Sequence, residues 1–352
     1  MTNKPTTIQW LDTLRALATL GVIIIHVSSP LVNMAYGKNM PYWWIGNIID
    51  SAVRFAVPLF LMLSGATLLG KEYNLSNFYK RRFSRVLLPF LFWLAIYWMY
   101  RWAMLSPKMQ PHDFVAIQKW AIHLLLKEGV SKHFWYIYMI LFIYIFVPFL
   151  GKWLRKLNFS TISSLLLLWV VLTFACKSIP LNLYGWSSDY GTKFLGYFLY
   201  TGYLLLGYYL IKLPTATTKI RFTTAFIFLL TISISVIFTY IISSKNQHLD
   251  LTLYNYLAIN TVIQSIAIFI GVKDTQIKNK ALAFISSTLN NYSYGIYLVH
   301  IIVIGILFRN GIYWKFAHPL ISLPILSLSV AACSFGIIYV LRKIPFGKYI
   351  SG

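Results

Sequence analysis

The sequence predicts an all-α fold: a polytopic integral membrane bundle of about ten transmembrane helices with both termini cytoplasmic. Three observations carry this expectation. Of the 352 residues 58% are hydrophobic and 11% charged, with a mean hydropathy of +0.67, far from the roughly 45–50% apolar and 25% charged balance of soluble domains. Apolar runs of about 20 residues, enough to cross about 30 Å of hydrocarbon as a helix, recur along the whole chain. Lys and Arg are shared unevenly between alternate connecting segments, the pattern that sets membrane orientation.

The apolar runs fall at 8–29, 44–69, 84–105, 133–150, 160–178, 193–211, 221–243, 253–272, 288–308 and 319–341. The first follows "MTNKPTTIQW", which has no cleavage site of small residues, so this helix is expected to stay in the mature protein. The second contains "VPLFLMLSGATLLG", where Ser64 and Gly65 are small enough to let another helix or a ligand approach closely. The third follows the basic stretch "NFYKRRFSR". The longest connection, 106–133, places Phe114, Ile117, Trp120 and Leu124 at helical spacing, as in a helix lying on the membrane surface. No connection holds a soluble domain, so 8–341 reads as one membrane-embedded domain and 342–352 as a short basic cytoplasmic tail. Of the Lys and Arg residues, 18 lie in the segments that share a side with the termini and 11 in the others. Arg15 and Arg54 are left inside the membrane.

The net charge of +23 does not indicate nucleic acid, because the basic residues are scattered through short loops. Cys176 and Cys333 stand alone in apolar runs, without the ligand spacing of a zinc site, so neither a metal nor a disulfide framework is expected. The aromatic share of 18% fits interfacial belts and buried cavities rather than a cofactor.

An ionisable side chain inside a span costs roughly 2.5–3.5 kcal/mol on insertion scales and must face a partner or a cavity. Asp12 and Arg15 stand at i, i+3, and Asp50 and Arg54 at i, i+4, so each pair has the spacing to neutralise itself within one helix. His26 follows Arg15 by eleven residues, about 16 Å and three turns, which puts both on nearly one face. A histidine on an apolar face is more often a packed core group than a catalyst. His26 departs from that rule because it shares its face with a buried arginine and because imidazole accepts protons near neutral pH. Arg82 and Arg85, with Lys80 and Arg81 beside them, form a forked pair at the mouth of span three. Such a cluster serves phosphate recognition and positive-inside topology equally well.

"LDTLRALATLGVIIIH", "VPLFLMLSG", "FYKRRFSR" with its R-x-x-R, "HFWYIYMILFIYIFVP" and "NYSYGIYLVH", in this order, resemble the membrane-bound acyltransferase family 3 over about residues 8–341. The sequence is similar to its short members that O-acetylate cell-surface glycans, such as the O-acetyltransferase of enterobacterial common antigen. It departs from the family in that "SGATLL" lacks the aromatic residue that often follows the Ser-Gly, and in that no hydrolase-like domain follows span ten. The resemblance implies acetyl-CoA as a co-substrate, with no permanently bound cofactor, and a lipid-linked or polymeric carbohydrate hydroxyl as acceptor. The family's helix-one arginine and histidine fall on Arg15 and His26, and its R-x-x-R on Arg82 and Arg85. On that footing Arg82, Arg85, Arg81 and Arg15 hold the donor. His26 is the reacting group, as general base or transient acyl carrier, with Arg15 and Asp12 supporting it. His133 and Trp135 are expected at the outer mouth of span four, facing a sugar or an interfacial belt. Tyr297 and His300 pack across helices or touch substrate. The remaining expected partner is the bilayer of the cytoplasmic (inner) membrane, and a homodimer is left open. The competing class is a transporter of a glycan or small metabolite, which broken helices and inverted repeats would favour.

Overall fold

The computed structural model describes residues 8–105, 119, 130–178 and 190–352, of which 104–105, 175–178 and 190–195 in backbone only. Among the described residues every regular element is a helix. They are α1 (Gln9–Ala35), α2 (Met40–Ala52), α3 (Ala56–Leu68), α4 (Leu75–Leu105), α5 (Trp135–Leu154), α6 (Phe159–Ser178), α7 (Tyr190–Leu210), α8 (Thr218–Asn246), α9 (Ile259–Val272), α10 (Lys280–Arg309), α11 (Pro319–Lys343) and α12 (Gly347–Ile350). Among those residues eight segments are long and apolar enough to cross a membrane, with α2 and α3 counted as one. Helices α6 and α7 occupy the two further predicted spans. The surface helix expected within 106–133, and the side chain of Cys176, lie outside the described residues.

Several helices overrun their apolar runs because polar caps, not the last hydrophobic residue, set their ends. Asn74 accepts the Asn77 N–H at 3.1 Å, Thr217 the Ile220 N–H at 3.3 Å, and Asn279 those of Ala281 and Leu282 at 2.9 and 3.1 Å. Span three therefore begins at Leu75 rather than at 84. Arg82 and Arg85 lie about two turns inside α4, where the i, i+3 spacing places them on one face.

Span two, expected as one run, is two helices broken at residues 53–55. Pro58 has no N–H to give the Arg54 carbonyl, and it is tolerated because it sits in the first turn of a new helix. Helix α3 then crosses α7 at paired glycines. A Cβ on Gly65 would lie 1.9 Å from the Leu204 carbonyl oxygen, and one on Gly207 1.9 Å from that of Met62. Since the obstacle is backbone, a side chain here must push the helices apart. Gly65→Val should destabilise the protein by about 1–3 kcal/mol, read as a lower unfolding midpoint in detergent; an unchanged midpoint would show that the crossing can open freely.

Helix α1 is the central element, packing on α2, α3, α10 and α11 through buried Leu14, Ala18, Ile23 and Leu31. Helix α8 turns Phe222, Phe226, Leu229 and Phe238 outward, an apolar stripe suited to acyl chains rather than water. The segment read as a tail returns to the bundle. Trp93 Nε1 donates to the Ile350 carbonyl at 3.1 Å, Arg342 donates to the carbonyls of Asn291 (2.8 Å) and Gly352, and Ser351 is buried.

Candidate active site

A cavity of about 670 Å³ opens among α1, α3, α4, α5, α10 and the returning C-terminal segment. Arg82, Arg85 and Lys348 line it together with Arg15, Ser64 and Thr67, and with Tyr136, Tyr144, Tyr294 and Tyr297. Among the described residues the lining holds four cationic side chains and no acidic side chain, so the space favours an anion. A second hollow of about 390 Å³ shares Arg82 and Arg85 and adds Lys71, Arg81, Tyr73 and Asn74, with Glu72 as its one acidic side chain among the described residues. The two arginines thus stand where an outer basic hollow meets an inner, more apolar one. Among the described residues neither arginine has a carboxylate partner, which leaves their donors for a ligand.

Arg15 is held from another helix. Its Nη1 donates to Asn290 Oδ1 at 2.6 Å, while Asn290 Nδ2 donates to Asp12 Oδ1 at 2.7 Å. A guanidinium only donates and a carboxylate only accepts, so the amide orientation follows from chemistry. Asn290 therefore relays Asp12 to Arg15 and ties α1 to α10. The in-helix pairing expected for Asp12 and Arg15 is thus bridged by a residue that sequence reading missed. Its only signal was a polar residue within "LNNYSYG" on an apolar helix.

Beyond the inner end of the cavity stand three histidines. The His26 and His300 rings are 5.2 Å apart, and His300 and His133 5.3 Å. Tyr297, which lines the cavity, lies 5.4 Å from His133 and 5.7 Å from His300, and its hydroxyl donates to the His133 carbonyl. His133 and His300 are buried and His26 is half-buried. His133 therefore belongs to this interior cluster rather than to an open outer mouth. None of the three histidines lines the cavity itself; Tyr297 is the link between the two. Tyr136 lines the same inner end, 5.7 Å from the Tyr297 ring, and was not singled out by sequence.

The sequence profile described as an acyltransferase domain, that of acyltransferase family 3, matches residues 8–342. The chain belongs to acyltransferase family 3. No curated protein and no solved structure matches it. Membership implies a membrane acyltransferase, and the matched region takes in the cavity, the Arg15 network and all three histidines.

Two other groups in this acyltransferase sit apart from the cavity lining. Trp135 stacks on Tyr256 at 5.8 Å and packs on Tyr200 at 5.5 Å. Asp50 and Arg54 form a buried ion pair; Ser29 donates to Asp50 at 3.0 Å, and Arg54 lies 4.1 Å over the Tyr254 ring. Tyr254 in turn donates to Asn47 Oδ1 at 2.6 Å, so the groups at the helix break are largely paired with one another, Arg54 Nε remaining without a partner among the described residues.

Proposed function

We propose that this acyltransferase moves an acetyl group from cytoplasmic acetyl-CoA to a hydroxyl of a cell-surface or lipid-linked carbohydrate, as a multi-pass protein of the inner membrane. The observation that carries the reading is the continuity of the cationic cavity. It begins at Arg82 and Arg85, passes Arg15 and ends on Tyr297, against whose ring His133 and His300 pack beside His26. A donor with its phosphates on the two arginines has an aromatic-lined passage for its pantetheine arm. Its thioester then comes to rest at Tyr136 and Tyr297.

In the transfer step the acceptor oxygen attacks the thioester carbonyl, the C–O bond forms, the C–S bond breaks and coenzyme A leaves as thiolate. His26 takes the hydroxyl proton as general base. In the second form of the step, His26 carries the acetyl group as a transient acyl-imidazole before the hydroxyl attacks. The Tyr136 hydroxyl makes no hydrogen bond to any described residue, and Tyr136 lines the inner end of the cavity, so this hydroxyl is suited to stabilise the oxyanion.

The broken span over residues 53–55 is the one feature that favours transport instead. Against this, the Asp50 carboxylate and the Arg54 charge at the break neutralise each other, and Asp50 also accepts from Ser29, which leaves neither charge free to coordinate a substrate. One experiment separates the classes: purified protein is incubated with radiolabelled acetyl-CoA, and bound donor and released CoA are measured. The acyltransferase binds donor and releases CoA, and Arg82→Ala with Arg85→Ala weakens binding by about tenfold or more, two charge-assisted contacts being lost. No CoA release in the presence of acceptor membranes would favour a transporter. Unchanged donor affinity in the double variant would return the arginines to a purely topological role.

A further inference from the structure

His300 is fully buried, and its Nδ1 lies 2.6 Å from the Tyr297 carbonyl oxygen. A carbonyl only accepts, so Nδ1 carries the hydrogen and Nε2 carries the lone pair. That Nε2 has no hydrogen-bond partner among the described residues, and neither has the Nε2 of His133; of the two, it is His300 whose ring lies against His26. A histidine kept only for packing would be expected to satisfy both nitrogens, because a buried polar atom without a partner is costly. His300 is also the middle member of the row, with His26 on one side and His133 on the other. Of the three, His26 is the most accessible, and neither of its ring nitrogens is hydrogen-bonded to a described residue. The nearby carboxylate of Asp50 is committed to Arg54 and Ser29.

We infer that His300 is a proton-relay partner of His26, a positioning residue for the transfer rather than a packing group. This rests on the acyl-transfer reading above, with His26 as base. The acceptor O–H breaks as its oxygen bonds the acetyl carbon, and the proton goes to one nitrogen of His26. The 5.2 Å ring separation lets the His26 ring turn its other N–H onto Nε2 of His300, and that hydrogen then passes across. The resulting imidazolium is stabilised by its Nδ1–H bond to the Tyr297 carbonyl. When the C–S bond breaks the steps reverse, the proton returns through His26 to the thiolate sulfur, and both imidazoles end neutral. The relay moves the positive charge off His26, which has no hydrogen-bond partner among the described residues and faces the Arg54 charge, onto a ring whose Nδ1–H is held by a carbonyl. It also explains why Tyr297 touches both the cavity and the histidines: its ring lines the donor space while its carbonyl sets the tautomer of His300. The other ionisable side chains beside the row are Tyr97, 5.2 Å from the His133 ring, Tyr297 itself, and Arg54, whose positive charge bears on His26; none of them supplies a carboxylate.

The test uses membranes from cells lacking the native copy and complemented with each variant at matched levels, with radiolabelled acetyl-CoA as donor. His300→Asn keeps an N–H for the Tyr297 carbonyl but has no basic nitrogen. It should lower kcat about 10²-fold with KM for acetyl-CoA unchanged, and added imidazole should restore part of the activity of His300→Ala. A packing role predicts the reverse: His300→Asn active, His300→Ala poorly folded and not rescued. Wild-type turnover with His300→Asn at the same kcat overturns the relay alone. Wild-type protein that leaves acetyl-CoA intact overturns the acyl-transfer reading and the relay with it.

Discussion

His26→Ala should lower acetylation of the surface glycan by about 10²–10⁴-fold, the usual worth of a positioned general base, while acetyl-CoA binding stays within about threefold of wild type. The split follows from where the groups lie. In the proposed reading the donor is held by Arg82, Arg85 and Arg15, which line the cavity, and His26 is not among the lining residues. Removing it takes away a group that acts in the transition state and leaves ground-state binding of the donor in place. Fold integrity is not at stake either, since His26 is half-buried and no described residue hydrogen-bonds to its ring. Glycan-bound acetate is read by mass spectrometry, and donor affinity is measured on the purified variant. Full acetylation with His26→Ala at normal membrane levels would remove it from the chemistry, and loss of donor binding in parallel would make it a wall of the donor site.

The parts of this site that were legible in the sequence are those written along one helix. Arg15 and His26, eleven residues apart, share a face by helical rise alone. In the fold Arg15 lines the cavity and His26 meets the histidines beyond its inner end. Arg82 and Arg85 were legible for the same reason, although the helix carrying them starts earlier than hydropathy implied, because Asn74 caps it. What could not be read depends on contacts between distant elements. Asn290 is 275 residues from Arg15, and nothing local marks it as the bridge between Arg15 and Asp12. The gathering of His133 and His300 around Tyr297 depends on the start of α5 packing beside α10, which no spacing along the chain encodes. The break in span two is an intermediate case. Pro30, Pro89, Pro148 and Pro324 all lie inside unbroken helices, so proline alone does not locate a break. Pro58 differs in that the Arg54 carbonyl it leaves without a donor belongs to a residue whose side chain is already anchored by Asp50 and Tyr254.

That anchoring carries the largest stability effect expected in the molecule. Asp50 is fully buried and Arg54 is 8% exposed, so Asp50→Leu leaves a buried guanidinium with no counter-charge. The expected loss is about 3–5 kcal/mol, seen as a sharply lower unfolding midpoint in detergent or as failure to accumulate in the membrane. Replacing both partners, Asp50→Leu with Arg54→Met, should recover most of that loss. An apolar pair of similar bulk restores packing without the desolvation cost of the charges. The residual deficit then measures what the pair does for its neighbours: the Ser29 bond to Asp50, and the stacking of Arg54 on Tyr254, which is held by Asn47. The comparison also separates stability from function. If the double variant folds and still acetylates, the pair is an internal staple at a helix break. If it folds at wild-type stability and is inactive while binding acetyl-CoA normally, the break and its charges belong to the acceptor side of the reaction, because the donor cavity contains neither residue.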